Sequence, residues 1–166
     1  MNVNRLLPQY NQYLQPLNMH VRKYGPNHFN IAYVKNGRRS YISVRHDPQT
    51  KQASLATGAT NKQNEGKGIG TALRAIATFI LYQAGYQVIS HTGIKVGINM
   101  FKSPNKYPNS TRIVRRMGYA PNAPNAPSAN KNEYMSYWRP TPQSIRNLQN
   151  TLRLSYNRMA KLKKNT

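Results

Sequence analysis

The residues best suited to chemistry are three alternating glycines, Gly66, Gly68 and Gly70, in the run E-G-K-G-I-G-T-A-L from Glu65 to Leu73. Glycine lets the backbone turn sharply and lets a ligand approach it closely. Apolar residues follow at Ile69, Leu73, Ile76, Ala77, Ile80 and Leu81. Their spacing of three and four predicts one face of a helix of about four turns, from Gly70 to Ala84. The first turn of a helix carries amide N–H groups with no intrahelical partner and the positive end of the dipole. A glycine loop running into such a helix suits a phosphate or pyrophosphate. The plainer reading is a flexible turn leading into a core helix.

The elements around this loop must hold it in place. Gly85 ends the helix, and Val88-Ile89 begins a buried strand. Upstream, Phe29, Ile31 and Tyr33 alternate on one side of Asn36-Gly37, and Tyr41, Ile42 and Val44 follow on the other. Asn-Gly between such runs predicts a hairpin from His28 to Arg45, because both residues accept positive φ. Asp47-Pro48-Gln49 makes a turn, and Ala53 to Thr60 is a third strand carrying Ser54, Thr57 and Thr60 but no carboxylate. Downstream come a helix from about Ser110 to Met117 and a strand from Glu133 to Arg139. Thr141 and Pro142 open a final helix as N-cap and first helical residue. Ile145, Leu148, Leu152, Met159 and Leu162 form a heptad-like seam on that helix, broken at Ser155. In residues 1–27, Leu6, Leu7, Tyr10, Tyr13 and Leu14 fit a short helix, with Pro8 near its start and Pro16 beyond its end.

The glycine loop, the helix and the following strand resemble the acetyl-CoA signature of the GNAT superfamily of N-acetyltransferases, R/Q-x-x-G-x-G/A. Gly68 and Gly70 are its two glycines, and Thr71, Ala72 and Leu73 continue in the same register. The stretch S-T-R-I-V-R-R-M-G-Y, Ser110 to Tyr119, is similar to the second helix of that superfamily, which closes on Gly-Phe or Gly-Tyr. Together the two matches fall within residues 65–119, about a third of the chain. The resemblance implies an α/β (α+β) fold with a mixed, mostly antiparallel sheet flanked by helices. It implies acetyl-CoA as cofactor, with Gly66, Lys67, Gly68, Ile69, Gly70 and Thr71 around the pyrophosphate and Arg74 reaching a phosphate. Acetyl would pass to an amine that attacks the thioester directly, so no protein nucleophile is needed. Two positions depart from the pattern: Glu65 stands where the superfamily has Arg or Gln, and Val114 where a tyrosine often protonates the departing thiolate. His91, just past the strand after the central helix, is the best titratable candidate for a base, since an unperturbed imidazole titrates near neutrality; the alternative is a core-edge or surface histidine. By the same resemblance residues 1–27 are a shortened N-terminal segment, 28–140 the core, and 141–166 an added basic amphipathic helix.

Charge points to a second class of function. The chain has 25 Lys plus Arg against 3 Asp plus Glu, a net +22 over 166 residues. Solubility needs far less charge and usually mixes the signs. Such a chain should meet a polyanion, and nucleic acid is the favoured one. Arg112, Arg115 and Arg116 on the second helix, and Arg153, Arg158, Lys161, Lys163 and Lys164 on the final helix, are the candidate phosphate contacts; Arg146 adds to the same tail. Binding would be mostly to phosphates, with little sequence preference and a steep loss with salt. Tyr24, Tyr107 and Tyr156 lie near basic residues and could stack on unpaired bases. The near-repeat A-P-N-A-P-N-A-P from Ala120 is an extended connector or a docking arm, and the final helix also suits a protein partner. A non-enzymatic GNAT-like fold that binds nucleic acid, or forms part of a virion or nucleoprotein particle, is therefore the alternative to an acetyltransferase. A basic cleft repels cationic amines, which leaves acceptor amines carried on anionic molecules.

No cysteine is present, which excludes disulfides and thiolate chemistry. His20, His28, His46 and His91 show no metal-ligand spacing, so no metal is expected. There is no apolar leader, and the most apolar segment, Ala72 to Ala84, contains Arg74 and is too short to span a bilayer. The expected location is soluble and intracellular, or inside a particle.

Overall fold

Asn36 and Gly37 both take positive φ, at 52° and 73°, and the alternating runs on either side pair as the predicted hairpin. The computed structural model describes residues 2–57, 64, 66–92, 114–120 and 135–164. Six strands, β1 (Met19–Gly25), β2 (His28–Lys35), β3 (Arg38–Asp47), β4 (Gln52–Thr57), β5 (Val88–Thr92) and β6 (Met135–Trp138), form one sheet in sequence order. Every neighbouring pair is antiparallel except β4–β5. A parallel pair needs a crossover, and the helix α2 (Ile69–Gln83) supplies it. Among the described residues, the other long helices are α1 (Val3–Leu14) and α3 (Pro142–Lys164). This is the mixed, mostly antiparallel α+β architecture that the sequence predicts.

The strand period of two sends Phe29, Ile31 and Tyr33 of β2, Ile42 and Val44 of β3, and Leu55 of β4 into a single core. Ile69, Leu73, Ala77, Ile80 and Leu81 of α2 join the same cluster, as their helical spacing requires. The segment 1–27 contains a strand that the sequence reading omits. In β1, Met19 and Val21 alternate with His20 and Arg22, a weak apolar signal that pairing with β2 strengthens. Pro8 lies inside α1 rather than at its start, and buried Leu6, Leu7 and Leu14 hold the helix to the core. The third strand ends at Thr57, and residues 58–60 of its expected span lie outside the described residues, as do Glu65, Arg112 and the P-N-A segment from 121 onward. Of the expected second helix, residues 114–116 are described and helical.

The final helix begins as predicted: Thr141 Oγ1 accepts from the Ser144 amide at 3.0 Å. Its seam, however, is covered by this chain. Leu148 and Met159 are buried in the core, Ser155 at the seam break is buried beside them, and Ile145, Leu152 and Leu162 pack against it. A partner of this helix would therefore meet its other side, where Arg146, Arg153, Arg158, Lys161, Lys163 and Lys164 are exposed. Among the described residues no helix is long and apolar enough to cross a membrane, and no cluster of three His, Asp or Glu forms.

One buried histidine makes stability depend on pH. His46 on β3 pairs Nδ1 with the Tyr86 hydroxyl at 2.6 Å, and its Nε2 is buried with no partner. Burial holds its pKa below the usual 6.5. A depressed base is neutral in the folded state and gains protons on unfolding, so its contribution is complete above pH 6.5 and is lost as pH falls. The melting temperature should drop below pH 6.5, with this one group adding a slope of at most about 1.4 kcal/mol per pH unit. His46→Gln should flatten that slope between pH 6.5 and 5. An identical pH profile for the two proteins would remove His46 as the cause.

Candidate functional site

The loop before α2 adopts the geometry its glycines permit. Gly66 and Gly68 have φ of 74° and 78°, a region open mainly to glycine. Gly68 is the N-cap of α2, and the Ala72 amide makes the first helical hydrogen bond, to Gly68 O at 3.0 Å. The amides of Ile69, Gly70 and Thr71 precede that bond, at the positive end of the helix. The first turn of α2 contains no acid. The Lys67 side chain is exposed, whereas that of Ile69 is core, so Ile69 can offer a ligand only its amide. Because α2 crosses from β4 to the parallel β5, its N-terminus lies at the carboxyl ends of those strands, where open α/β sheets bind ligands.

Arg158 of α3 joins the loop. Its Nη2 donates to Gly66 O at 2.7 Å, and its side chain crosses Gly68 so closely that a Cβ there would lie 2.8 Å from Cδ. An exposed guanidinium thus rests on the outer face of the glycine turn. The sequence reading groups Arg158 with the nucleic-acid contacts of the tail. Helical spacing places it next to the buried Met159, but only the packing of α3 on α2 brings it to a loop 92 positions away. A side chain at Gly68 would meet Arg158 first, rather than open ligand space.

Arg74 does not reach the loop surface. It is 8% exposed, and its Nε donates to Nε2 of His91 at 2.9 Å. Its Nη1 lies 3.0 Å from where a Gly70 Cβ would sit, so Gly70 makes room for Arg74. Burial pushes the Arg74 pKa down. The expected phosphate contact is replaced by an inward one, because Arg74 falls on the side of α2 that faces β5. His91 is 0% exposed, and its ring meets the edge of Tyr119 at 6.0 Å. While Nε2 accepts from Arg74, that nitrogen cannot take a proton from an acceptor amine; the expected base is a buried partner of Arg74. Thr78 completes the cluster: its Oγ1 lies 2.7 Å from the Tyr119 hydroxyl and donates to Arg74 O at 2.8 Å. Val114 is fully buried. Arg115 and Arg116 are exposed on the short helical turn at 114–116, and Arg153, Lys161, Lys163 and Lys164 line the exposed side of α3.

The chain has the fold of the GNAT N-acetyltransferases. Gcn5 of Tetrahymena superposes with a TM-score of 0.50 at 14% identity, over 85% of this chain and 83% of that one. An acetyltransferase of the GNAT family from Streptococcus pneumoniae superposes with a TM-score of 0.50 at 12% identity, over 70% of each chain. No protein-family model and no curated protein matches the sequence.

Proposed function

We propose that this protein is a GNAT-like acyltransferase that binds acetyl-CoA at the glycine loop and delivers acetyl to an amine carried on an anionic partner. The observation that carries the reading is the anion cradle at the start of α2. There two left-handed glycines and the first-turn amides meet the Arg158 guanidinium, and Lys67, exposed, stands between the two glycines in the chain. The residues fit a diphosphate: the amides of Ile69, Gly70 and Thr71 would hold its oxygens, and Lys67 and Arg158 would offset its charge. Acetyl-CoA supplies the acetyl group already activated as a thioester. The Arg74–His91 bond ties α2 to β5 and so keeps the loop in register with the carboxyl ends of β4 and β5. Catalysis then rests on positioning more than on a side-chain base.

A second reading is supported by the same residues. With His91 engaged by Arg74 and Val114 buried where the superfamily often has a tyrosine, neither expected position supplies a proton-transfer group. That favours a non-enzymatic GNAT fold that binds nucleic acid, alone or within a virion or nucleoprotein particle, and the net charge of +22 agrees.

Arg158→Gln tests the first reading. It removes one charge-assisted contact and leaves the buried seam of α3 in place. Acetyl-CoA affinity should fall about tenfold, ~1.4 kcal/mol, with the melting temperature nearly unchanged. Unchanged affinity would take Arg158 out of the cofactor site.

A further inference from the structure

The sheet has a second face, turned away from α2, and it carries a site of different chemistry. Strand register places Arg22, Asn30, Ser43 and Ala56 in one row across β1 to β4, with Ala32 and Tyr41 in the row beside it. An open pocket of about 400 Å³ lies over these rows, within the range of ligand clefts, roughly 300–1,000 Å³. Aromatic rings flank it. Tyr24, 47% exposed, stacks on His28 at 5.2 Å between centroids, and Tyr41 lies beneath the Arg39 guanidinium at 4.7 Å. Arg39 also reaches the Tyr24 hydroxyl at 3.5 Å, and Arg22 sits 5.3 Å from the Tyr24 ring. Ser43 and the small Ala56 leave the middle of the pocket open.

Asn30, which lines the pocket, is 7% exposed, and its Oδ1 is buried with no partner. An unpaired buried acceptor costs free energy unless something donates to it. We infer that this face is a stacking platform for single-stranded nucleic acid, in which one base stacks on Tyr24 beside the Arg39–Tyr41 pair and donates an N–H to Asn30 Oδ1. Arg22 and Arg39 take the adjoining phosphates. The exposed ring of Tyr24 can stack only on an unpaired base, which a duplex does not offer. A net charge of +22 calls for a polyanion rather than a neutral ligand. The platform is independent of the glycine loop, so it stands or falls separately from acetyl-CoA binding.

The test is fluorescence anisotropy with a labelled oligo-dA strand, its duplex, and free adenosine monophosphate as competitor, each over a salt series. Tyr24→Leu combined with Tyr41→Leu should weaken strand binding by about tenfold or more. Duplex binding, the salt slope and acetyl-CoA titration should stay as in wild type. Arg39→Gln should lower the salt slope of strand binding by about one, and it gives an independent reading if the double variant folds poorly. Unchanged strand binding in the tyrosine variant, or equal losses for strand and duplex, would overturn the platform. An unchanged slope in Arg39→Gln would do the same. Equal affinity for the free nucleotide and the strand would overturn the assignment to a polymer.

Discussion

Replacing Gly68 by valine should abolish saturable acetyl-CoA binding. Gly68 sits at φ 78°, where an L-residue costs about 1–2 kcal/mol and a β-branched one more. The new Cβ would lie 2.8 Å from Arg158 Cδ and 2.9 Å from Nη1, so Arg158 must leave the loop or the N-cap of α2 must unwind. Either change removes part of the anion cradle. The expected loss is at least a hundredfold, ~2.7 kcal/mol, measured by titration calorimetry on protein shown to be folded by its melting curve. Affinity within threefold of wild type would show that the ligand does not depend on this turn.

The second large effect concerns the final helix. Leu148 is fully buried in the core that α3 shares with α2. Leu148→Ala should cost about 2–5 kcal/mol, a fall in melting temperature on the order of 10 °C for a chain of this size. Truncation from Ile145 onward would strip Leu148, Ser155 and Met159 from the core together. Counted as charge alone, that truncation would lower the salt slope of nucleic-acid binding. The packing instead predicts a chain that no longer unfolds cooperatively. Circular dichroism melts decide between them: a truncated protein that melts like wild type would show α3 to be an appendage.

The parts of the fold legible in the sequence are those with a strong local signal. The Asn36-Gly37 hairpin, the helix after Gly68 and the Thr141 cap each follow from residues within a few positions of one another. β1 was hidden because its alternation is carried by only two apolar residues beside several charged ones. In the glycine loop, the backbone conformation was readable, but the neighbours were not. Arg158 reaches Gly66 only through the packing of two helices far apart in sequence. Sequence reasoning offers Arg74 as a phosphate contact and His91 as a base or a core-edge or surface histidine. They are instead each other's partner, an arrangement that satisfies two buried groups at once and that no spacing rule reveals. The platform around Asn30 is equally hidden in the sequence, since it gathers residues from four strands, of which Tyr24 alone is marked there for stacking.

The central claim is that the loop from Gly66 to Thr71 is an acetyl-CoA site. Calorimetric titration of the whole chain with acetyl-CoA at moderate salt tests it most directly, with desulfo-CoA and free pyrophosphate as controls for a basic surface. The expected result is saturable one-to-one binding, tighter than pyrophosphate and weakened by Arg158→Gln. Acetyl-CoA binding no better than pyrophosphate, or binding indifferent to Arg158, would contradict it.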